Sequence, residues 1–132
     1  MSEAPRINHV HYDGNCPIMD REQIDMLLMN DEDDMDTELA GELFELFESE
    51  SMAKLDALPK VCEQGDALAL RNIVHFIAGS AGNLGLARLA AFYRGIERAL
   101  DEESLTDLSA CEQPIRLEFE CARDALRAEF NL

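Results

Sequence analysis

Apolar residues recur at steps of three and four along most of this chain, which is the spacing of amphipathic helices. The pattern predicts helices over residues 20–29, 37–64, 66–83, 86–102 and 108–129. No segment alternates apolar and polar residues in the manner of a half-buried strand. We therefore predict an all-α fold, an antiparallel four-helix bundle with an additional short N-terminal helix.

Capping and breaking residues mark the ends of these helices. Asp20 and Asp66 precede helical periods, and their side chains can accept hydrogen bonds from the first free backbone N–H groups. Gly65 and Gly85 follow such periods, as C-terminal glycines do. Pro59 lies inside the second helix and must either kink it or split it in two, and the sequence leaves both outcomes open.

The predicted core consists of the apolar stripes of the long helices, packed against one another. A chain of 132 residues suits one domain around one such core. The stripe positions are Leu39, Leu43, Leu46, Phe47, Leu55, Leu58, Leu70, Ile73, Val74, Ile77, Ala81, Leu84, Leu89, Phe92, Ile96, Ala99, Leu100, Ile115, Leu117, Phe119, Ala122, Leu126 and Phe130.

A second stripe of the helix over residues 66–83 carries small residues and one histidine. Its members are Arg71, His75, Ala78, Gly79, Gly82 and, about one turn further on, Leu86. Glycine inside a helix costs roughly 0.5–1 kcal/mol relative to alanine, so two glycines beside one imidazole need a reason. Either a bulky partner approaches His75 closely, or the glycines let two helices of the same bundle pack closely and His75 is passive. The residues alone leave both interpretations open.

The overall charge restricts the classes of partner. The formal net charge is −17 at pH 7, so the surface repels nucleic acid phosphates and anionic membranes. The acidic run at residues 30–36 lacks the glycine turn and distal glutamate of a calcium-binding loop, and we predict a charged connection there. No apolar run approaches the roughly 18–20 residues that span a bilayer. The four cysteines show no CxxC spacing, which is typical of reduced thiols in a cytosolic protein, so we expect a cytoplasmic location.

Residues 1–17 contain two prolines and a glycine but no helical period. We predict a flexible N-terminal arm there, followed by a helical domain over residues 18–132. Within the arm, His9, His11 and Cys16 have metal-binding chemistry, but a structural site would need a fourth ligand of similar quality, and we expect no metal.

The segment HFIAGSAGNLG begins at His75, and the helix after it ends in Gly95-Ile96-Glu97. This arrangement resembles the signature of the histidine-containing phosphotransfer (HPt) domain family. That signature is His-x-Leu/Ile-Lys-Gly, a run of small residues, a further glycine, and Glu or Gln twenty-two positions after the histidine. The similarity covers roughly residues 20–102, and the matching positions are His75, Ile77, Gly79, Gly85 and Glu97.

The resemblance implies roles for individual residues. His75 would accept a phosphoryl group on Nε2, while Glu97 would accept a hydrogen bond from Nδ1–H and so orient the ring. One position departs from the signature, because Ala78 stands where the family usually has Lys. Arg94 or Arg71 could supply the missing phosphoryl contact, or both could be surface arginines. The partner-docking residues would be Arg71, Asn72, Phe76, Ala78, Gly79, Gly82 and Leu86.

As a member of this family, the protein would carry a phosphoryl group between receiver-domain aspartates in a two-component phosphorelay. Its partners would be a response regulator receiver domain, a hybrid histidine kinase or both, and the protein itself would be a monomer. It would be a phosphocarrier and not an enzyme, with no cofactor of its own, since the receiver supplies Mg²⁺ and the catalytic groups. The missing Lys leaves a second interpretation open, a non-phosphorylated HPt-like interaction module that binds or sequesters a response regulator.

Overall fold

The computed structural model describes residues 4–24 and 35–130, with side chains over residues 4–24 and 41–129. All regular secondary structure in these ranges is helical, so the all-α prediction is confirmed there. Residues 21–24 form a first helical turn, and the rest of that predicted helix and most of the acidic run lie outside the described ranges. The later helices are α1 (Met35–Leu55), α2 (Leu58–Gln64), α3 (Ala67–Asn83), α4 (Ala87–Asp101) and α5 (Glu112–Phe130), with a 3₁₀ turn at Leu108–Cys111 before α5.

Pro59 splits the second predicted helix into α1 and α2. It lies in the first turn of α2, where its missing N–H removes no helical hydrogen bond. Gly65 ends α2 in the left-handed conformation with φ of 66°, as its predicted cap role requires. Asp66 then starts α3, and its Oδ1 accepts a hydrogen bond from the N–H of Ala69 at 3.1 Å. Both predicted caps are therefore present.

The core fills the space between the helices and contains most of the predicted stripe. On α3 it includes Leu70, Val74 and Ile77, which are fully buried. Three predicted core leucines are wrong, because Leu43, Leu46 and Leu117 are 42%, 54% and 53% exposed. The buried core residues described on α1 are Phe44, Phe47 and Leu55. The apolar stripe predicted for α1 is therefore wider than the face that this helix buries.

The N-terminal segment has no regular secondary structure, as predicted, but it packs against α4. Its residues Ile7 and Val10 are buried in the core, and Arg98 of α4 donates a hydrogen bond to the carbonyl of His11 at 3.1 Å. A Cβ at Gly95 would lie only 2.8 Å from that same carbonyl oxygen, so the close approach depends on glycine. Residues 4–17 thus contact the bundle although they have no helical period, because an aperiodic segment can still bury apolar side chains.

Candidate functional site

His75 projects from the exposed face of α3. The opposite face of this helix is anchored in the core, and the His75 side chain is 66% exposed. A helix turns by about 100° per residue, which places the exposed positions of α3 on one face. We call this face the His75 stripe, and its members are Leu68, Asn72, His75, Gly79 and Asn83.

Glu97 reaches the imidazole of His75 from α4. The Nδ1 atom of His75 lies 2.7 Å from Oε2 of Glu97, and the Glu97 side chain is only 16% exposed. When Nδ1 carries the ring hydrogen, it donates to this carboxylate and Nε2 keeps a free lone pair. The carboxylate also stabilises positive charge that develops on the ring when Nε2 acquires a substituent. The structure therefore brings together the two residues that sequence analysis paired.

A further ion pair contacts the same carboxylate oxygen of Glu97. The Nη2 atom of Arg71 lies 3.1 Å from the same Oε2 atom of Glu97, and Arg71 Nε lies 2.6 Å from Oδ1 of Asp101. This Arg71 hydrogen bond is the main reason why the pKa of the Asp101 carboxyl is below its ordinary value. Arg71, predicted as a docking residue, is thus engaged with two carboxylates of α4, in a chain that runs Asp101–Arg71–Glu97–His75.

Sequence analysis missed Asp101, although a signal for it existed. Arg71 lies four residues before His75, and Asp101 lies four residues after Glu97. In two antiparallel helices, a step of one turn back on one helix meets a step of one turn forward on the other. With His75 and Glu97 paired, this geometry places Arg71 opposite Asp101, where the structure shows their ion pair.

The predicted docking residues do not all face solvent. Asn72 and Gly79 are exposed in the His75 stripe, but Ala78 and Leu86 are buried, with 2% and 0% exposure, and the prediction for them is wrong. The stripe is centred roughly 40° around α3 from His75, at Gly79. Helix α4 covers the flank of α3 on the other side of His75, where Ala78 lies. The sequence of one helix does not indicate which of its flanks a neighbouring helix will cover.

The two glycines near His75 have different surroundings. A Cβ added at Gly79 would meet nothing within 4 Å, which leaves open space beside the imidazole. A Cβ at Gly82 would lie 3.1 Å from Nη2 of Arg94, so Gly82 accommodates a side chain of α4. Gly82 therefore agrees with close packing inside the bundle, and Gly79 has the open space that the approach of a partner would require.

The same contact corrects the position expected for Arg94. Its guanidinium lies against Gly82, which is seven residues beyond His75 and therefore roughly 10 Å further along the axis of α3. Because the helices are antiparallel, a residue that precedes Glu97 is opposite residues that follow His75. The guanidinium of Arg94 does not lie at the imidazole in this structure.

An apolar groove continues the His75 stripe toward α1. It lies between the two helices and is lined by Leu43, Leu46, Phe47, Glu50, Ser80, Asn83 and Leu84. Sequence analysis missed it because both leucines were assigned to the core. Nearer to His75, the half-buried ring of Phe76 lies under Lys54 of α1, whose Nζ is 4.3 Å from the ring centroid.

The cysteines and the N-terminal histidines form no candidate centre of their own. The four cysteines are free thiols, and burial raises the pKa of Cys62 to about 11 and of Cys111 to about 12. Within residues 4–24 and 35–130, no group of three or more His, Cys, Asp or Glu side chains is arranged to hold a metal ion. None of the helices in those ranges is long and apolar enough to cross a membrane.

Comparison with known proteins agrees with this geometry. The model of the Hpt domain family matches residues 42–129, well over half of the chain. The fold is similar to the crystal structure of histidine-containing phosphotransfer protein B (HptB) from Pseudomonas aeruginosa PAO1, with a TM-score of 0.72 and 25% sequence identity over 89% of this chain and 97% of that one. A search of curated protein sequences found no significant match. The sequence signature of this chain, the helical fold and the match to the family model together show that the chain belongs to the Hpt domain family.

Proposed function

We propose that this protein carries a phosphoryl group on Nε2 of His75 between receiver-domain aspartates in a two-component phosphorelay. The observation that carries the proposal is the 2.7 Å contact between Nδ1 of His75 and Glu97, made by a ring that is itself 66% exposed. A phosphocarrier needs both properties, because the ring must be oriented and must also be reachable by another protein. Membership of the Hpt domain family supports the same conclusion.

The transfer requires no proton movement at His75. The lone pair of Nε2 attacks the phosphorus of a receiver aspartyl phosphate, the Nε2–P bond forms, and the P–O bond to the aspartate breaks. The aspartate leaves as a carboxylate, and Nδ1 keeps its hydrogen. The ring then carries positive charge, which the carboxylate of Glu97 stabilises through the hydrogen bond at Nδ1.

We infer that the protein acts as a phosphocarrier and not as an enzyme in its own right. Hpt domains carry phosphoryl groups that other domains transfer to and from them. In this proposal the in-line alignment and the Mg²⁺ belong to the partner receiver domain, and this chain contributes a positioned nucleophile. The proposal also includes a monomer, a cytoplasmic location, and an antiparallel four-helix bundle in which residues 21–24 begin the additional short helix.

The proposed docking surface is the His75 stripe together with the groove beside it. Gly79 leaves space next to the imidazole, and the exposed side chains of Leu43 and Leu46 offer apolar contact about two turns away along α3. A receiver domain, alone or as part of a hybrid histidine kinase, would cover this surface during transfer. Apolar contact flanking an open catalytic position is suited to a partner that must bind and then leave.

The direct test is label transfer from a phosphorylated receiver domain. We expect the protein to acquire acid-labile, base-stable radiolabel, as phosphohistidine does, and we expect His75→Gln to acquire none. His11→Gln is the matched control, because His11 is also exposed but lies on the N-terminal segment. Label that persists in His75→Gln would refute the assignment of the phosphoacceptor.

A second candidate function is a non-phosphorylated interaction module that binds or sequesters a response regulator. Two observations favour it, the uncharged Ala78 close to His75 and an apolar groove whose lining does not include His75. This function predicts stable binding of a receiver domain without any label on His75. Binding measured by titration calorimetry with wild type and His75→Gln distinguishes the two functions when it is combined with the label assay.

A further inference from the structure

The charge around His75 poses a problem for a phosphoryl group bound there. A phosphoryl group at neutral pH carries close to two negative charges, and the chain already has a net charge of −17. Glu97 lies at the ring and Asp101 one turn beyond it. A local cation from this chain would therefore stabilise a phosphorylated His75 that has left its partner.

The arginines close to His75 in the fold are already placed elsewhere. The guanidinium of Arg71 is shared between Glu97 and Asp101, at 3.1 Å and 2.6 Å. The guanidinium of Arg94 lies over Gly82, about two turns away along α3. Among the described side chains of α4 and its flank of α3, Arg71 is therefore compensated by two carboxylates and the guanidinium of Arg94 lies away from the imidazole.

Lys54 approaches from the opposite side, on α1. The contacts between α1 and α3 run antiparallel, with Leu43 and Leu46 beside Asn83 and Leu84, and with Lys54 over Phe76. Since Phe76 directly follows His75, Lys54 lies at the height of the imidazole. Within the described side chains, no carboxylate forms an ion pair with Lys54, whose recorded contact is the cation–π contact to Phe76 at 4.3 Å.

We propose that the ammonium group of Lys54 binds a phosphoryl oxygen of phosphorylated His75. The proposal rests on the proposed function, since it requires that His75 is phosphorylated. A half-exposed ammonium over an aromatic ring is held weakly, whereas a phosphoryl dianion offers a charge-assisted hydrogen bond. Lys54 would then contact the phosphoryl group from α1 while Glu97 holds the ring from α4.

The test uses phosphoramidate as the donor, so that no partner protein is needed. In this reaction Nε2 attacks the phosphorus, the Nε2–P bond forms, and ammonia leaves with the electron pair of the reagent's P–N bond. The variants are Lys54→Gln, which removes the charge, and Lys54→Arg, which keeps it. Lys60→Gln is the matched control, because Lys60 is an exposed lysine of α2. The readouts are the ³¹P NMR titration of the phosphoryl group and the rate of phosphorylation.

We expect the phosphoryl titration midpoint to move to higher pH in Lys54→Gln, because loss of a nearby cation disfavours the dianion. We also expect phosphorylation to slow by about two- to fivefold, the size of a half-exposed charge pair. Lys54→Arg should restore most of both effects, and Lys60→Gln should leave both unchanged.

Two results would overturn the proposal, and they have different meanings. An unchanged titration midpoint in Lys54→Gln, with His75 phosphorylated normally, would exclude the contact and leave the phosphocarrier function intact. Wild-type protein without any ³¹P signal that depends on His75 would instead refute the proposed function, and the role of Lys54 with it.

Discussion

Removal of the Glu97 carboxylate tests the central geometry of the site. In Glu97→Ala the ring of His75 loses the acceptor that lies 2.7 Å from Nδ1, and Arg71 keeps its second partner, Asp101. The ring can then rotate and can place its hydrogen on either nitrogen, and the positive charge that forms during transfer loses the carboxylate in contact with the ring. We expect phosphoryl uptake from a receiver domain to slow, while the fold remains intact because Glu97 lies outside the apolar core.

The size of this effect follows from the contact itself. A hydrogen bond to a charged group contributes about 1.5–3 kcal/mol, and each 1.36 kcal/mol changes a rate by about tenfold. Because Glu97 is 16% exposed, water replaces it poorly, and we expect a decrease of about 10- to 150-fold in the rate constant for uptake. Glu97→Gln retains a neutral acceptor at this place, so its decrease should be about tenfold or less.

The assay is rapid-mix label transfer at saturating receiver concentration, so that the transfer step and not binding is measured. Glu63→Ala is the matched control, because it removes one exposed carboxylate from α2, away from His75. Thermal unfolding of each variant checks that the bundle is intact. A wild-type transfer rate in Glu97→Ala would refute the reasoning, since it would mean that the observed hydrogen bond does not contribute to the transition state.

Four further predictions concern other residues of the fold. The hydrogen bond from Arg71 is the main cause of the lowered pKa of Asp101, so carboxyl NMR should show a higher pKa for Asp101 in Arg71→Ala. In wild type the Arg71–Asp101 ion pair should be intact at neutral pH and lost as pH falls through the lowered pKa of Asp101. An unchanged pKa in that variant would exclude the ion pair in solution. Gly95→Ala should destabilise the fold by about 1–3 kcal/mol in urea unfolding, because its Cβ would meet a backbone carbonyl at 2.8 Å. Gly79→Ala, in open space, should stabilise it by about 0.5–1 kcal/mol, and equal effects at both glycines would contradict the packing. Arg88 of α4 and Glu118 of α5 form a buried ion pair, with Nε 2.8 Å from Oε2. Arg88→Ala should cost about 3–5 kcal/mol in the same assay, since it leaves the buried carboxylate of Glu118 without this partner, and a loss below 1 kcal/mol would argue against a buried pair.

Local signals in the sequence were sufficient to predict most helices and their caps, but not the central pair. Asp66 and Gly65 act at short range, so their capping roles could be predicted from neighbouring residues alone. Pro59 could be recognised as a break, but the choice between a kink and a split depends on how α2 packs. The pairing of His75 with Glu97 came from a family resemblance, because no local rule connects residues on two different helices.

Features that depend on neighbouring helices could not be predicted in the same way. The predicted docking face included Ala78, which lies on the flank of α3 that α4 covers. A helical period gives the width of an apolar face but not the position of the helix that covers it. Leu43 and Leu46 look like core residues in sequence, and only the burial of Phe44 and Phe47 shows that α1 turns them outward. Ile7 and Val10 contact residues far away in the sequence, and no periodic pattern of apolar residues predicts such contacts.

The packing of the N-terminal segment bears on where this protein can be shortened. A chain trimmed to residues 18–132, the boundary that periodicity indicates, would lose Tyr12, whose ring centroid is 5.1 Å from that of Phe92. It would also uncover the surface of α4 around Gly95, on the helix that carries Glu97. Expression boundaries and affinity tags are therefore best placed upstream of residue 4, so that the N-terminal segment still packs against α4.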